Sequence, residues 1–187
     1  YPLRRQRQMC IRDRNLAACA AQAARLWEPY DADFAKECLT AAENAYEAAK
    51  KHDDLYAPLD QSIGGGPYGD DCADDEFYWA ACELYLTTGE KAYLKDLEKS
   101  DLAYTVPTTL SAGEDADTAG SFDWGNTVAL GTLSLALHKD DLEKKTAEKV
   151  TSAITDAADV HLGREEQQGY GQPYAQSKLS HADDDTG

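Results

Sequence analysis

Nine apolar residues, Phe77, Tyr78, Trp79, Ala80, Ala81, Cys82, Leu84, Tyr85 and Leu86, crowd one short stretch between the acidic pair Asp74 and Asp75 and Gly89. Wound as a helix, this stretch is apolar on every side, so other elements must surround it. Asp74 and Asp75 start it, because acidic side chains satisfy free N–H groups and the dipole at a helix N-terminus. Gly89 ends it. The segment before it is of another kind. Asp31 can cap a helix whose Phe34, Cys38, Ala41, Ala45 and Ala49 form one apolar stripe as far as about Lys51, with Lys and Glu elsewhere. The same contrast recurs along the chain. Residues 15–28 show Leu16, Ala20, Ala23, Ala24 and Trp27 at helical spacing, stopped by Pro29. Residues 90–100 give a short helix with Tyr93, Leu94 and Leu97 on one face. Residues 126–137 form a helix with little charge, and residues 139 to about 162 a charged amphipathic one. Apolar helices alternating with one-sided ones predict an all-α double ring of α-hairpins, the former lining the inside and the latter wrapping it. A helical repeat array would show a fixed period of about 34 or 40 residues, and none is present.

The remaining composition excludes more than it names. A chain of 187 residues suits one domain or part of a larger one, and 42% hydrophobic residues with 11 Tyr are too many for a disordered chain. The longest apolar run, 128–137, is interrupted by Gly131, Thr132 and Ser134 and falls short of the roughly 20 residues a bilayer needs, so no membrane partner is expected. A net charge of −17 disfavours nucleic acid and anionic lipid and leaves neutral ligands and cations. Five cysteines, an odd number with no Cys-x-x-Cys pair and no His at zinc spacing, support neither a disulfide framework nor a zinc site. Cys19, Cys38 and Cys82 are expected to pack as small hydrophobes, and Trp27, Tyr78 and Trp79 to lie in the core. The four histidines, His52, His138, His161 and His181, form no constellation.

Residues 1–14 differ from everything after them. They hold five of the seven arginines and one acidic residue, so without them the charge falls from −17 to −21. A basic arm is one reading. The other follows from the stretch Arg-Gln-Met-Cys-Ile-Arg-Asp (7–13), which resembles translated sequencing-adapter DNA and marks 1–14 as a non-native segment to set aside. The fold is then expected over 15–175, as a piece of something longer, with a polar, frayed tail at 176–187.

Two long loops, 53–73 and 107–125, are rich in Gly, Pro and Asp. Together with the helices they carry a resemblance. Asn15-Leu-Ala-Ala-Cys-Ala-Ala-Gln-Ala-Ala-Arg-Leu-Trp27, Gly64-Gly-Gly-Pro-Tyr-Gly-Asp-Asp71, Asp75-Glu-Phe-Tyr-Trp-Ala-Ala-Cys-Glu-Leu-Tyr-Leu-Thr-Thr-Gly89 and Gly120-Ser-Phe-Asp-Trp-Gly-Asn126 resemble the catalytic module of glycoside hydrolase family nine, the endoglucanases and related cellulases. The likeness runs from about Asn15 to Tyr174, and its most specific part is 75–89. It implies a six-hairpin α/α barrel, of which about three hairpins are present. It also implies an extracellular endo-β-1,4-glucanase that inverts the anomeric carbon.

Such chemistry needs one carboxylate to activate water and one carboxylic acid to protonate the leaving oxygen. In the family these come from an early Asp-Ala-Gly-Asp motif and a late Glu, and neither is in this chain. Asp115-Ala-Asp117-Thr lacks the Gly and lies mid-region, so it receives no catalytic role. The resemblance leaves this chain the walls of a glucan cleft. Trp124 is a candidate to stack on a sugar, Asp123 to bond a hydroxyl, and Tyr68 to stack from the glycine loop; Asp123 as a helix cap and Trp124 as core are the competing roles. No cofactor is required. Structural calcium is possible, with Asp70 and Asp71 as its oxygen ligands beside Asp74, Asp75, Asp115 and Asp117. β-Glucan is the expected partner, and the oligomeric state is left open. The alternative to an enzyme fragment is a noncatalytic helical binding or scaffold module.

Overall fold

The computed structural model describes residues 8–52, 73–108, 126–171 and 173. All regular structure among them is helical. Helix α1 spans Gln8–Trp27, α2 Ala32–Lys51, α3 Asp74–Thr88, α4 Lys91–Lys99, α5 Val128–Leu137 and α6 Lys144–Gln167, with a 3₁₀ turn at Lys139–Asp141. They form three hairpins. Within the set, α1 packs on α2 and α3, α3 on α4 and α5, and α5 on α6. Helices α1, α3 and α5 therefore make an inner row, and each carries its successor on the outside.

Local sequence accounts for two of the ends. Asp31 accepts the Phe34 N–H at 3.0 Å and caps α2 as expected. Gly89 closes α3 in the left-handed region, at φ 71°, and its N–H reaches the Tyr85 carbonyl at 2.8 Å. The stretch expected as one helix from 139 to about 162 is divided. Asp141 and Leu142 bond back three residues, to His138 and Lys139, and Glu143 is extended before α6 begins. An inner helix must reverse direction to become an outer one, and a continuous helix cannot do so. α6 then runs on to Gln167.

The buried faces are not always the expected stripes. In α1 the core side chains are Ala17, Ala18, Ala20, Ala21 and Ala24, while Leu16 is 51% and Trp27 49% exposed, so neither belongs to the core. α1 has two neighbours to approach, and methyl groups let both come close where leucine or tryptophan would hold them off. Cys19 is likewise exposed, contrary to its expected packing; Cys38 is half-buried and Cys82 buried, and all three are free thiols. In α2 the buried set is Ala35, Ala42, Ala45, Tyr46 and Ala49, which turns the face away from Phe34 and Ala41. Tyr46 sets that rotation. Its ring stacks on Phe77 of α3 at 4.6 Å, meets Tyr93 of α4 edge-on at 5.4 Å, and its hydroxyl donates to Asp96 at 3.1 Å. Tyr78 is fully buried and Trp79 partly so, as expected for α3.

One polar cluster crosses the inner row. Glu83 of α3 is fully buried. Its carboxylate pairs with Arg25 of α1 at 2.7 Å and accepts from Gln22 at 3.3 Å, from the Trp79 indole at 3.2 Å and from the Ser134 hydroxyl of α5. A buried charge is tolerated only when paired and hydrogen-bonded, and this one binds all three inner helices.

The tyrosines bear on alkaline stability. The Tyr93 hydroxyl is pushed up from 10 to about 12, first by burial and then by Glu43, Glu90, Glu47 and Asp96. Burial, with Glu98 opposing a bond from Thr146, does the same for Tyr104, and burial also raises Tyr46 and Tyr78. Above about pH 10 the unfolded chain sheds these protons while the folded one keeps them, so stability is retained below pH 10 and lost as pH rises toward 12. Urea midpoints measured across that window should fall while tyrosinate absorbance in the folded baseline lags behind that of the unfolded chain. A flat midpoint would contradict it.

Candidate functional site

Side-chain bonds between the inner helices show that they run parallel. Near their N-termini, Arg14 of α1 donates to the Ala73 carbonyl before α3 at 2.8 Å, and Asp75 of α3 accepts from Thr127 before α5. Toward the other end, Thr87 of α3 donates to the Ala21 carbonyl of α1 at 2.8 Å, and Arg25 reaches Thr87 at 2.8 Å. Parallel inner helices sort the connections. Residues 28–31, 89–90 and 138–143 are short reversals at the C-terminal end of the inner row. The chain leaves α2 at His52 and re-enters at Ala73, and leaves at Thr108 and re-enters at Asn126. Both long stretches thus join the fold at the N-terminal end of the inner helices.

Every expected binding residue belongs to those two stretches: Tyr68, Asp70 and Asp71 to the first, Asp123 and Trp124 to the second. All five lie outside the described residues. What the structure shows is the helical floor at the end of the row where both stretches begin and end. Arg14 is 5% exposed, and its guanidinium sits 5.5 Å from the Phe77 ring centroid, extending the Tyr46–Phe77 stack. It falls within 1–14, the stretch expected to be foreign, yet it packs as part of this floor. Asp75 and Glu76 are 2% and 1% exposed. Buried polar atoms at this end, Arg14 Nε, Asn15 Oδ1 and Asp75 Oδ1 among them, make no hydrogen bond to the described residues. Such atoms are few in folded proteins.

The flanks of the second stretch are tied from other helices. Arg164 Nη1 of α6 donates to the Thr108 carbonyl, and Thr132 of α5 to the Thr105 carbonyl at 2.8 Å. The Tyr78 hydroxyl accepts the Tyr104 N–H at 3.0 Å and meets Thr132 Oγ1 at 3.1 Å. Tyr104 adopts φ 59°, strained for a residue with a side chain, and these bonds hold it there. At the re-entry, Asn126 Oδ1 accepts the Val128 N–H at 3.1 Å, so the first turn of α5 takes this bond from Asn126.

Among the described residues, no three His, Cys, Asp or Glu side chains are grouped so as to hold a metal. No helix among them is long and apolar enough to cross a membrane. Sequence reading missed Arg14 and Arg164 as site-forming residues, and took Asp75 for a site residue only beside the candidate calcium ligands. Asp75 was legible as an acidic helix start, but its partner 52 positions away was not.

The family model for glycosyl hydrolase family 9 matches residues 13–185. The chain belongs to glycosyl hydrolase family 9. It is 45% identical over 172 residues to a cellulose 1,4-beta-cellobiosidase of Acetivibrio thermocellus, covering 88% of this chain and 19% of that protein. It is 43% identical over 162 residues to endoglucanase C of Cellulomonas fimi, covering 86% and 14%. The solved structure of a Bacteroides ovatus family 9 protein superposes with a TM-score of 0.68 at 32% identity, over 88% of this chain and 30% of the other. The chain therefore spans between about a seventh and a third of these relatives. Its three hairpins form an arc of the α/α barrel, as the resemblance implied.

Proposed function

We propose that this family 9 chain forms one wall of a β-1,4-glucan cleft, in a domain that hydrolyses the polymer with inversion. The observation that carries the reading is the gathering of both long stretches at the N-terminal end of three parallel inner helices, in a chain that matches the family over 13–185. Trp124 and Tyr68 supply faces for sugar rings, and Asp123 an acceptor for a hydroxyl. The names of the two relatives above, a cellobiosidase and an endoglucanase, point to the same bond cut from chain ends or internally. An extracellular setting goes with an insoluble polymeric substrate, and the acidic surface with a neutral one. Asp70 and Asp71 remain the candidate oxygen ligands for a structural calcium ion.

The wall binds and orients; the water-activating carboxylates and the acid that protonates the leaving oxygen belong elsewhere in such a domain. The isolated chain is therefore expected to bind cellotetraose in calorimetry yet release no reducing ends from carboxymethyl cellulose, a soluble derivative. Trp124→Ala should weaken the binding by about 3- to 10-fold, the range for losing one aromatic stacking partner. Glucan turnover by the purified chain would overturn the assignment of catalysis to residues outside it. Unchanged affinity in Trp124→Ala would remove Trp124 from the cleft.

A further inference from the structure

We infer that Asp75 is a positioning residue for glucan binding, whose carboxylate sets where the chain enters α5 at the cleft end of the arc; this rests on the reading of the chain as a cleft wall. Asp75 stands in the first turn of α3, where an acidic side chain ordinarily serves its own helix. Here it does not. The N-cap position of α3 is Ala73, and no side chain caps it. Asp75 Oδ2 instead accepts both the N–H of Thr127 at 2.6 Å and its hydroxyl at 3.2 Å.

The arrangement is costly for a purely structural tie. The residue is 2% exposed, and Asp75 Oδ1 is buried without a hydrogen bond to any described residue. Apolar packing of similar volume would join two helices with no such penalty. What a charged acceptor adds is direction: two donors on one oxygen fix the Thr127 backbone and side chain together. Thr127 follows Trp124 by three residues and Asp123 by four. The other flank of the same stretch is gripped similarly, by Arg164 on the Thr108 carbonyl. Two charged side chains from different helices thus bracket residues 109–126 by backbone contacts, and each acts across more than fifty positions of sequence.

The test is calorimetric titration of the 187-residue chain with cellotetraose, affinities being expressed per folded molecule from the helical circular dichroism. Asp75→Ala is expected to weaken binding about 10-fold, by freeing the register of Thr127. Asp75→Asn keeps an oxygen acceptor and should stay within about 3-fold of the unaltered chain. Tyr46→Phe, which removes the bond to Asp96 in the outer layer, should lower the melting temperature and leave affinity unchanged. If Asp75→Ala lowers the melting temperature but binds as Tyr46→Phe does, Asp75 is structural only and the inference is overturned. Should Asp75→Ala not fold, Thr127→Val decides: weaker binding in the folded chain supports positioning, and unchanged binding overturns it. No binding by the unaltered chain would overturn the cleft-wall reading and this inference with it, whereas binding that ignores position 75 overturns the inference alone.

Discussion

Glu83→Ala is expected to lower the free energy of unfolding by about 3–5 kcal/mol, the usual cost of removing one partner of a buried ion pair. The magnitude follows from what is left behind. Arg25 keeps its place between α1 and α3 with its side chain only 17% exposed, and loses the carboxylate 2.7 Å away. Gln22, Trp79 and Ser134 lose an acceptor in the same step. Three donors and a cation would then lose their acceptor among the inner helices. Because a domain is stable by about 5–15 kcal/mol, one substitution consumes a large share of the total. Urea unfolding followed by circular dichroism measures it. Glu83→Gln should be milder, since its amide oxygen still accepts from Ser134 and Trp79. A loss under about 1 kcal/mol for Glu83→Ala would show that the cluster contributes little net stability, as some buried pairs do.

Gly131→Ala should destabilise by about 1–3 kcal/mol, although alanine is the better helix former by about 1 kcal/mol. Packing opposes propensity here. A β-carbon on Gly131 of α5 would lie 3.0 Å from Tyr78 Cε1, 3.1 Å from Cys82 Sγ and 3.1 Å from the Cα of Trp79. The last is backbone and cannot swing aside, so α5 must withdraw from α3. Withdrawal would also stretch the Tyr78–Thr132 contact and the Asp75–Thr127 bonds, which cross the same interface. A thermal melt checks the sign. If the variant melts higher, helix propensity outweighs the close approach and the α3–α5 contact is softer than its geometry indicates.

These two positions differ in how visible they are before folding. Gly131 is a plain helix-weakening glycine in the sequence, and only the proximity of Trp79 makes it necessary. Glu83 sits in a helix apolar on all sides, where a buried carboxylate is conspicuous, but its partners come from α1 and α5. The family resemblance was carried by local stretches such as 75–89, so it could be read directly, and the match over 13–185 agrees with it. The burial of α1 could not. Its periodic positions pointed to Leu16 and Trp27, and the structure chose the alanines between them because two neighbours must approach closely. Residues 1–14 were set aside on their arginine content and on the likeness of 7–13 to translated adapter DNA, and neither property registers the Ala73 carbonyl and Phe77 ring that the Arg14 side chain meets.

By itself, then, the sequence determined the helices, most of their ends, the hairpin order and the family. All of these depend on residues within a few turns of one another, through the 3.6-residue period, capping side chains and short motifs. Only the tertiary structure decided that the three inner helices run parallel with both long stretches at one end. It alone decided that Glu83 binds three helices and that Asp75 serves α5 rather than its own helix. Those outcomes rest on contacts between residues fifty or more positions apart, whose geometry exists only once the helices have packed.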